Sequence, residues 1–155
     1  MTKLEKVFDV ISKAPMAICT TMNAESYPES RALLNLANAA QYPELSRRII
    51  SVRNGIELYF TTNTSSSKIQ QIGANPRVAL YYCLAGEFRG VWVSGDMEII
   101  SDSRIKKEFW TEGWEMYYPL GCEDTDYTLM RVKAKRIRAY ADFSVLELAG
   151  AELVG

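Results

Sequence analysis

Apolar residues recur at helical spacing near the N-terminus and at strand spacing over most of the rest of the chain. Leu4, Val7, Phe8 and Ile11 share one helical face, and Pro15 stops the run. Thr2 and Glu5 have the spacing of a capping box, in which a hydroxyl and a carboxylate satisfy free N–H groups at the helix start. Met16 to Thr21 is a short β-prone run, Asn23 to Ser26 reads as a turn, and Pro28 to Leu36 as the second arm of a hairpin. Pro43 to Ile50 holds a short helix, and Asn54-Gly55 is a turn dipeptide. Ile56 to Thr62 alternates, with Ile56, Leu58 and Phe60 on one face, which predicts a strand. A helix then starts near Ser65 or Ser66, buries Ile69 and Ile72, and ends at Gly73 and Pro76. Arg77 to Leu84 is a strand, Ala85 to Glu87 a turn, and Phe88 to Ile100 a long strand in which Gly95 marks a bulge or bend. Asp102-Ser103 starts a helix carrying Ile105, Phe109 and Trp110. Gly113 to Asp126 is irregular and aromatic, and Tyr127 to Phe143 is the last long strand. Six or seven strands with short helices predict a mainly β fold, a closed or partly open β-barrel, as one domain over residues 1–155.

Composition narrows the chemistry. The net charge is −1, so no global attraction to nucleic acid or an anionic membrane is expected. Arg131, Lys133, Lys135, Arg136 and Arg138 form the best basic stripe, and they read as the solvated face of a strand. The three cysteines form no C-x-x-C pair, which argues against a disulfide framework and a zinc ribbon. Cys19 and Cys83 lie in apolar runs and are expected in the core, while Cys122 lies among polar residues and is expected nearer the surface. Histidine is absent, which removes Ser-His-Asp and Cys-His catalysis and every His-ligated zinc or haem site. No apolar run is long enough for a transmembrane helix, and the charged N-terminus is unlike a secretory leader, so a cytoplasmic location is expected.

One segment carries candidate chemistry. After the strand ending at Thr61-Thr62 comes Asn63-Thr64-Ser65-Ser66-Ser67-Lys68 at a helix start. Free N–H groups and the helix dipole attract anions there, serine hydroxyls donate hydrogen bonds, and Lys68 adds a full charge. Such a set suits a phosphate. It is not a P-loop, because the glycines of that motif are missing, and no G-x-G-x-x-G occurs anywhere.

The order of segments resembles the pyridoxamine-phosphate-oxidase-like FMN-binding split barrels. The matching residues are Leu58 to Asn63, Ser66-Ser67-Lys68-Ile69 and Asn75-Pro76-Arg77-Val78. Ser30 to Leu34 looks like the family's flavin-edge strand, and Val91 to Gly95 like a later strand ending in glycine. The resemblance implies a split β-barrel with FMN as cofactor. By that resemblance, Arg31 and the backbone of Ala32 and Leu33 line the flavin ring. Thr61 and Thr62 bond the ring or ribityl chain, and Ser66, Ser67 and Lys68 hold the phosphate. It also implies a homodimer with the flavin at the subunit interface, where Trp110 and Tyr118 are the candidates for the second subunit's side of the site.

The chain departs from the oxidases that make pyridoxal phosphate. Ser67 stands where they have an arginine, Leu34-Asn35-Leu36 covers the place of a substrate lysine, Gly90 falls at a glutamine, and their C-terminal histidine has no counterpart. The aromatic tail, Trp110, Tyr118-Pro119, Gly121 and Glu123-Asp124, resembles the smaller general-stress-type subgroup instead. The expected function is an FMN-dependent oxidoreductase acting on a small substrate. The alternatives are a non-catalytic flavin-binding protein for storage, sensing or stress, a deazaflavin-binding relative, and an interaction module without cofactor.

Overall fold

In the computed structural model, which describes residues 1–49 and 55–153, the elements run α1 (Lys3–Lys13), β1 (Met16–Met22), β2 (Pro28–Leu34), α2 (Pro43–Ile49), β3 (Glu57–Asn63), α3 (Ser67–Ala74), β4 (Arg77–Leu84), β5 (Arg89–Ile100), α4 (Ser103–Glu108), β6 (Tyr127–Ala141) and β7 (Ser144–Ala149). The capping box forms: Glu5 N donates to Thr2 Oγ1 at 3.1 Å and Thr2 N to Glu5 Oε2 at 2.6 Å. α1 then buries Val7, Val10 and Ile11 and packs over β4, β5 and β7.

All strand pairings are antiparallel, in the order β2-β1-β4-β5-β6-β3, with β7 added on β6. The two end strands, β2 and β3, come into contact without hydrogen-bonding to each other. The sheet is therefore a split barrel, curled until its edges face across a gap. Alternation fills the interior: Ala17 and Cys19 on β1, Val78, Leu80 and Tyr82 on β4, Val91 and Val93 on β5 are all buried. The curl depends on β5, whose register with β6 shifts between Ser94 and Gly95. A Cβ at Gly95 would lie 2.3 Å from the Lys133 carbonyl oxygen, so only glycine allows the two backbones to approach this closely.

Several expectations change. Cys83 is exposed, because β4 alternates and Cys83 shares the outer face with Tyr81 while Tyr82 points inward. The expected last strand, Tyr127 to Phe143, is two strands. Asp142 and Phe143, at φ 53° and 57°, turn the chain back into β7. No glycine or asparagine marks that turn, which is why the pattern hid it. β2 stops at Leu34, since buried Asn35 bonds the carbonyls of Ile11 and Ala14, both at 2.8 Å. α4 ends at Glu108, leaving Phe109 and Trp110 beyond it. Of the Asn54-Gly55 turn, Asn54 lies outside the described residues and Gly55 has φ 92°. The basic stripe is the face of β6, and four of its members pair with neighbouring carboxylates. Arg131 meets Glu98 at 2.7 Å, Lys135 meets Asp96 at 2.7 Å, and Arg136 and Arg138 share Glu147.

Candidate functional site

The gap between β2 and β3 is a groove of about 440 Å³, within the range of small-molecule and cofactor sites. Ala32, Leu33 and Leu34 of β2 form one wall, and Thr61, Thr62 and Asn63 of β3 the other. Pro15 and Met16 at the head of β1, Gln41 before α2, Lys68, Tyr117 and Tyr118 complete the lining. Sequence proximity brings none of these walls together. The meeting of the two unpaired edges does.

Lys68 is the chemical centre of the groove. Ser66 caps α3, accepting from Lys68 N at 3.4 Å. This start sets the Lys68 side chain back against β3. Its ammonium donates to Thr62 Oγ1 at 2.6 Å and to Ser66 Oγ at 2.8 Å. Lys68 is only 8% exposed. Among the described residues no carboxylate pairs with it. Burial lowers the pKa of Lys68 below the ordinary lysine value, and the positive charge of Arg31 lowers it further. A buried ammonium bonded only to neutral hydroxyls is costly, and a negative charge beside it would offset that cost.

The loop in front of α3 is held by Asp126, the residue before β6. Asp126 accepts from Asn63 Nδ2 at 2.6 Å and from Ser65 N at 2.8 Å, and its own carbonyl accepts from Thr64 N at 2.8 Å. These bonds hold its carboxyl below the usual carboxylate range. Buried Asp124 in turn accepts from Asp126 N at 2.9 Å and Leu120 N at 3.0 Å, tying the aromatic segment to the same corner. Asp126 is not visible in the sequence as part of this corner, because its partners Asn63 and Ser65 lie 63 and 61 positions away.

Tyr118 is 3% exposed and lines the groove from its own chain. Burial pushes its phenol up, and a bond to Thr61 opposes that. Trp110 stands behind it: its ring centroid lies 6.0 Å from Tyr118 and 5.2 Å from Tyr127, so it braces the wall without lining it. Arg31 lies outside the lining. Its guanidinium is drawn from β2 toward α3, donating to Thr21 Oγ1 at 2.6 Å and Gln71 Oε1 at 3.2 Å. Ser67 borders a different depression, between α3 and the β1–β2 turn. The structure thus gathers Ala32, Leu33, Thr61, Thr62, Lys68 and Tyr118 around one groove, with Ser66 and Arg31 adjoining it, and leaves Ser67 and Trp110 outside.

A sheet curled until its two end strands meet is a split barrel, a fold this chain shares with known proteins. The family model described as "Pyridoxamine 5'-phosphate oxidase like" matches residues 47–144. The chain belongs to that family. Among solved structures it is similar to a Clostridium acetobutylicum protein related to general stress protein 26, of the pyridoxinephosphate oxidase family. The identity is 23%, with 97% of this chain and 96% of that chain covered and a TM-score of 0.77. It is also similar to general stress protein 26 from Bacillus anthracis, at 22% identity, 96% and 100% coverage and a TM-score of 0.69. A heme binding protein from Mycobacterium smegmatis matches at 9% identity, 99% and 60% coverage and a TM-score of 0.69. These likenesses establish a shared fold. No curated protein matches the chain.

Proposed function

We propose that the chain is a flavoprotein that binds FMN in the β2–β3 split, with the phosphate at Lys68. The observation that carries this reading is the buried Lys68 ammonium, bonded only to Thr62 and Ser66 and lacking a carboxylate partner among the described residues. A phosphate there supplies the countercharge, and charge-assisted bonds to it are stronger than the hydroxyl bonds Lys68 now makes. Ser66 and Thr62 then orient the ammonium. Arg31, ion-paired to Glu29 at 3.5 Å, adjoins the groove without lining it. Ala32, Leu33 and Tyr118 offer an apolar wall and a phenol hydrogen-bonding group for the ring end. Ser67 borders the depression on the other side of α3, so its hydroxyl is not part of this groove. Bound FMN supplies electron or hydride transfer, and the assignment is an oxidoreductase of a small substrate.

A non-catalytic flavin-binding role is the second reading, and one observation favours it. Among the described residues no carboxylate or thiol lines the groove. Reducing the bound flavin and timing its reoxidation by added acceptors separates the two.

The functional unit in this proposal is a homodimer of the single domain 1–155, acting in the cytoplasm, with the flavin at the subunit interface. Ala32, Ile18, Tyr81 and Trp92 lie in register across four strands on the outer face of the sheet, an apolar row for a second chain to cover. Trp110 contributes by bracing Tyr118. Among the described residues no helix is long and apolar enough to cross a membrane. The testing experiment is the visible absorption spectrum of the purified protein with FMN added and excess removed, before and after chemical reduction. A retained, reducible flavin band supports the proposal, and a colourless protein refutes it.

A further inference from the structure

The segment that brings Tyr117 and Tyr118 to the groove has no strand of its own to lean on. Tyr117 N and Tyr118 N both donate to the Trp114 carbonyl, at 2.8 and 2.9 Å, and Gly121 N donates to the Tyr118 carbonyl at 3.0 Å. Among the described residues, the backbone of 117–120 bonds to no strand. Its polar tie to the rest of the site is Asp124, a carboxylate buried at 7% exposure. Asp124 Oδ2 accepts from Leu120 N at 3.0 Å, and Oδ1 accepts from Asp126 N at 2.9 Å. Asp126 in turn holds Asn63 and Ser65, and Asn63 lines the groove. The loop around Ser65 has a further tie, since Thr64 Oγ1 donates to the Thr125 carbonyl at 2.9 Å. One carboxylate therefore joins the tyrosine wall to the loop before α3, and the loop has other supports while the wall's backbone does not.

We propose that Asp124 is a positioning residue that sets the Tyr117–Tyr118 wall against that loop and so fixes the width of the groove at the end where the flavin ring would lie. It rests on the FMN reading and deepens it, because it assigns the geometry of the ring end to a carboxylate that lines no part of the groove. Cutting the bond to Leu120 leaves the anion end intact, since Asp126 still holds Asn63 and Ser65. Only the tyrosines are released.

Two variants cut that bond from opposite sides. In D124N, the side-chain oxygen still serves Asp126 N, a turn that asparagine makes as readily as aspartate, and the amide N–H groups face Leu120 N. In L120P the donor itself is gone; Leu120 has φ −88°, close to the range of proline, and its side chain is exposed. Each variant is expected to weaken FMN and riboflavin alike, by about three- to tenfold, with the ratio of the two affinities changed by less than about twofold. Each is also expected to raise the residual fluorescence of bound flavin, which adjacent tyrosines quench, and to have no such effect when Y117F and Y118F are both present. Combining D124N with L120P is expected to add nothing, because the same bond is already gone. In the protein without ligand, hydrogen exchange at Tyr118 is expected to rise in both variants. Should D124N fail to fold, L120P carries the same test. Unchanged flavin affinity and fluorescence, loss confined to FMN, a further loss on combining the two, or unchanged exchange at Tyr118 overturns the positioning role. Wild-type protein that binds neither flavin overturns the FMN reading beneath it, and faster exchange at Tyr118 in the variants then still supports the hold of Asp124 on the wall.

Discussion

Replacing Lys68 by methionine separates function from stability, because the two effects have opposite signs. Methionine keeps the unbranched stem and removes the ammonium. In the protein without ligand, Lys68 makes two hydrogen bonds, at 2.6 and 2.8 Å, with no carboxylate. Each such bond contributes roughly 1 kcal/mol net. Against that stands the cost of holding a charge at 8% exposure, which amounts to several kcal/mol for an ion before its bonds are counted. The lowered pKa has the same meaning. A base whose folded pKa lies below its unfolded value favours folding fully only above the unfolded value, about 10.4. That contribution is lost as pH falls through the folded value, so at neutral pH the ammonium costs stability. K68M is therefore expected to match or exceed wild-type stability without ligand by about 1 kcal/mol, a rise of about 2–4 °C in Tm for a domain of this size. The same change removes a charge-assisted phosphate contact of about 1.5–3 kcal/mol, or roughly 10- to 150-fold in FMN Kd. Thermal melts with and without FMN, together with fluorescence titrations, read both numbers. A K68M protein that melts well below wild type yet binds FMN equally would refute the reasoning, because Lys68 would then be a structural residue.

FMN affinity is expected to fall as alkaline pH is raised through the Lys68 pKa, starting below the ordinary lysine range; K68R should move that loss to higher pH, and riboflavin should show none of it. Asp126 has a lowered pKa through Asn63 and Ser65, so its support of the loop is complete above about 3.9 and lost as pH falls through the folded value. D126N, which sets an amide donor against Asn63 Nδ2, is expected to weaken FMN severalfold at neutral pH and to speed hydrogen exchange at Thr64 and Ser65. G95A forces a Cβ against the Lys133 carbonyl and is expected to cost about 1–3 kcal/mol in denaturant unfolding. Y118F removes a phenol hydroxyl from the groove lining and is expected to change the spectrum or potential of bound flavin more than its affinity.

The fold was legible where local chemistry decides it. The capping box at Thr2 and Glu5 and the Ser66 cap follow from side chains acting on nearby backbone, β3 shows in its alternation, and Gly95 marks the bulge because no other residue lets β5 approach β6 there. β7 was not legible, because Asp142 and Phe143 turn left-handed without a glycine. Cys83 was misplaced because residue type was weighed above alternation. At the site, Thr61, Thr62 and Lys68 were visible as an anion-binding segment. Gln71 and Asp126 were not, since each acts on residues about 40 to 60 positions away, and only the curl of the sheet brings them together. Ser67 and Lys68 are adjacent in sequence, but the helix turns them to different depressions.

The central claim is that a buried, unpaired cation makes this groove a phosphate-bearing flavin site. Titrating FMN and riboflavin side by side into wild-type protein tests it most directly. FMN is predicted to bind at least about tenfold more tightly than riboflavin. Equal affinity for the two, or binding of neither, would contradict the account.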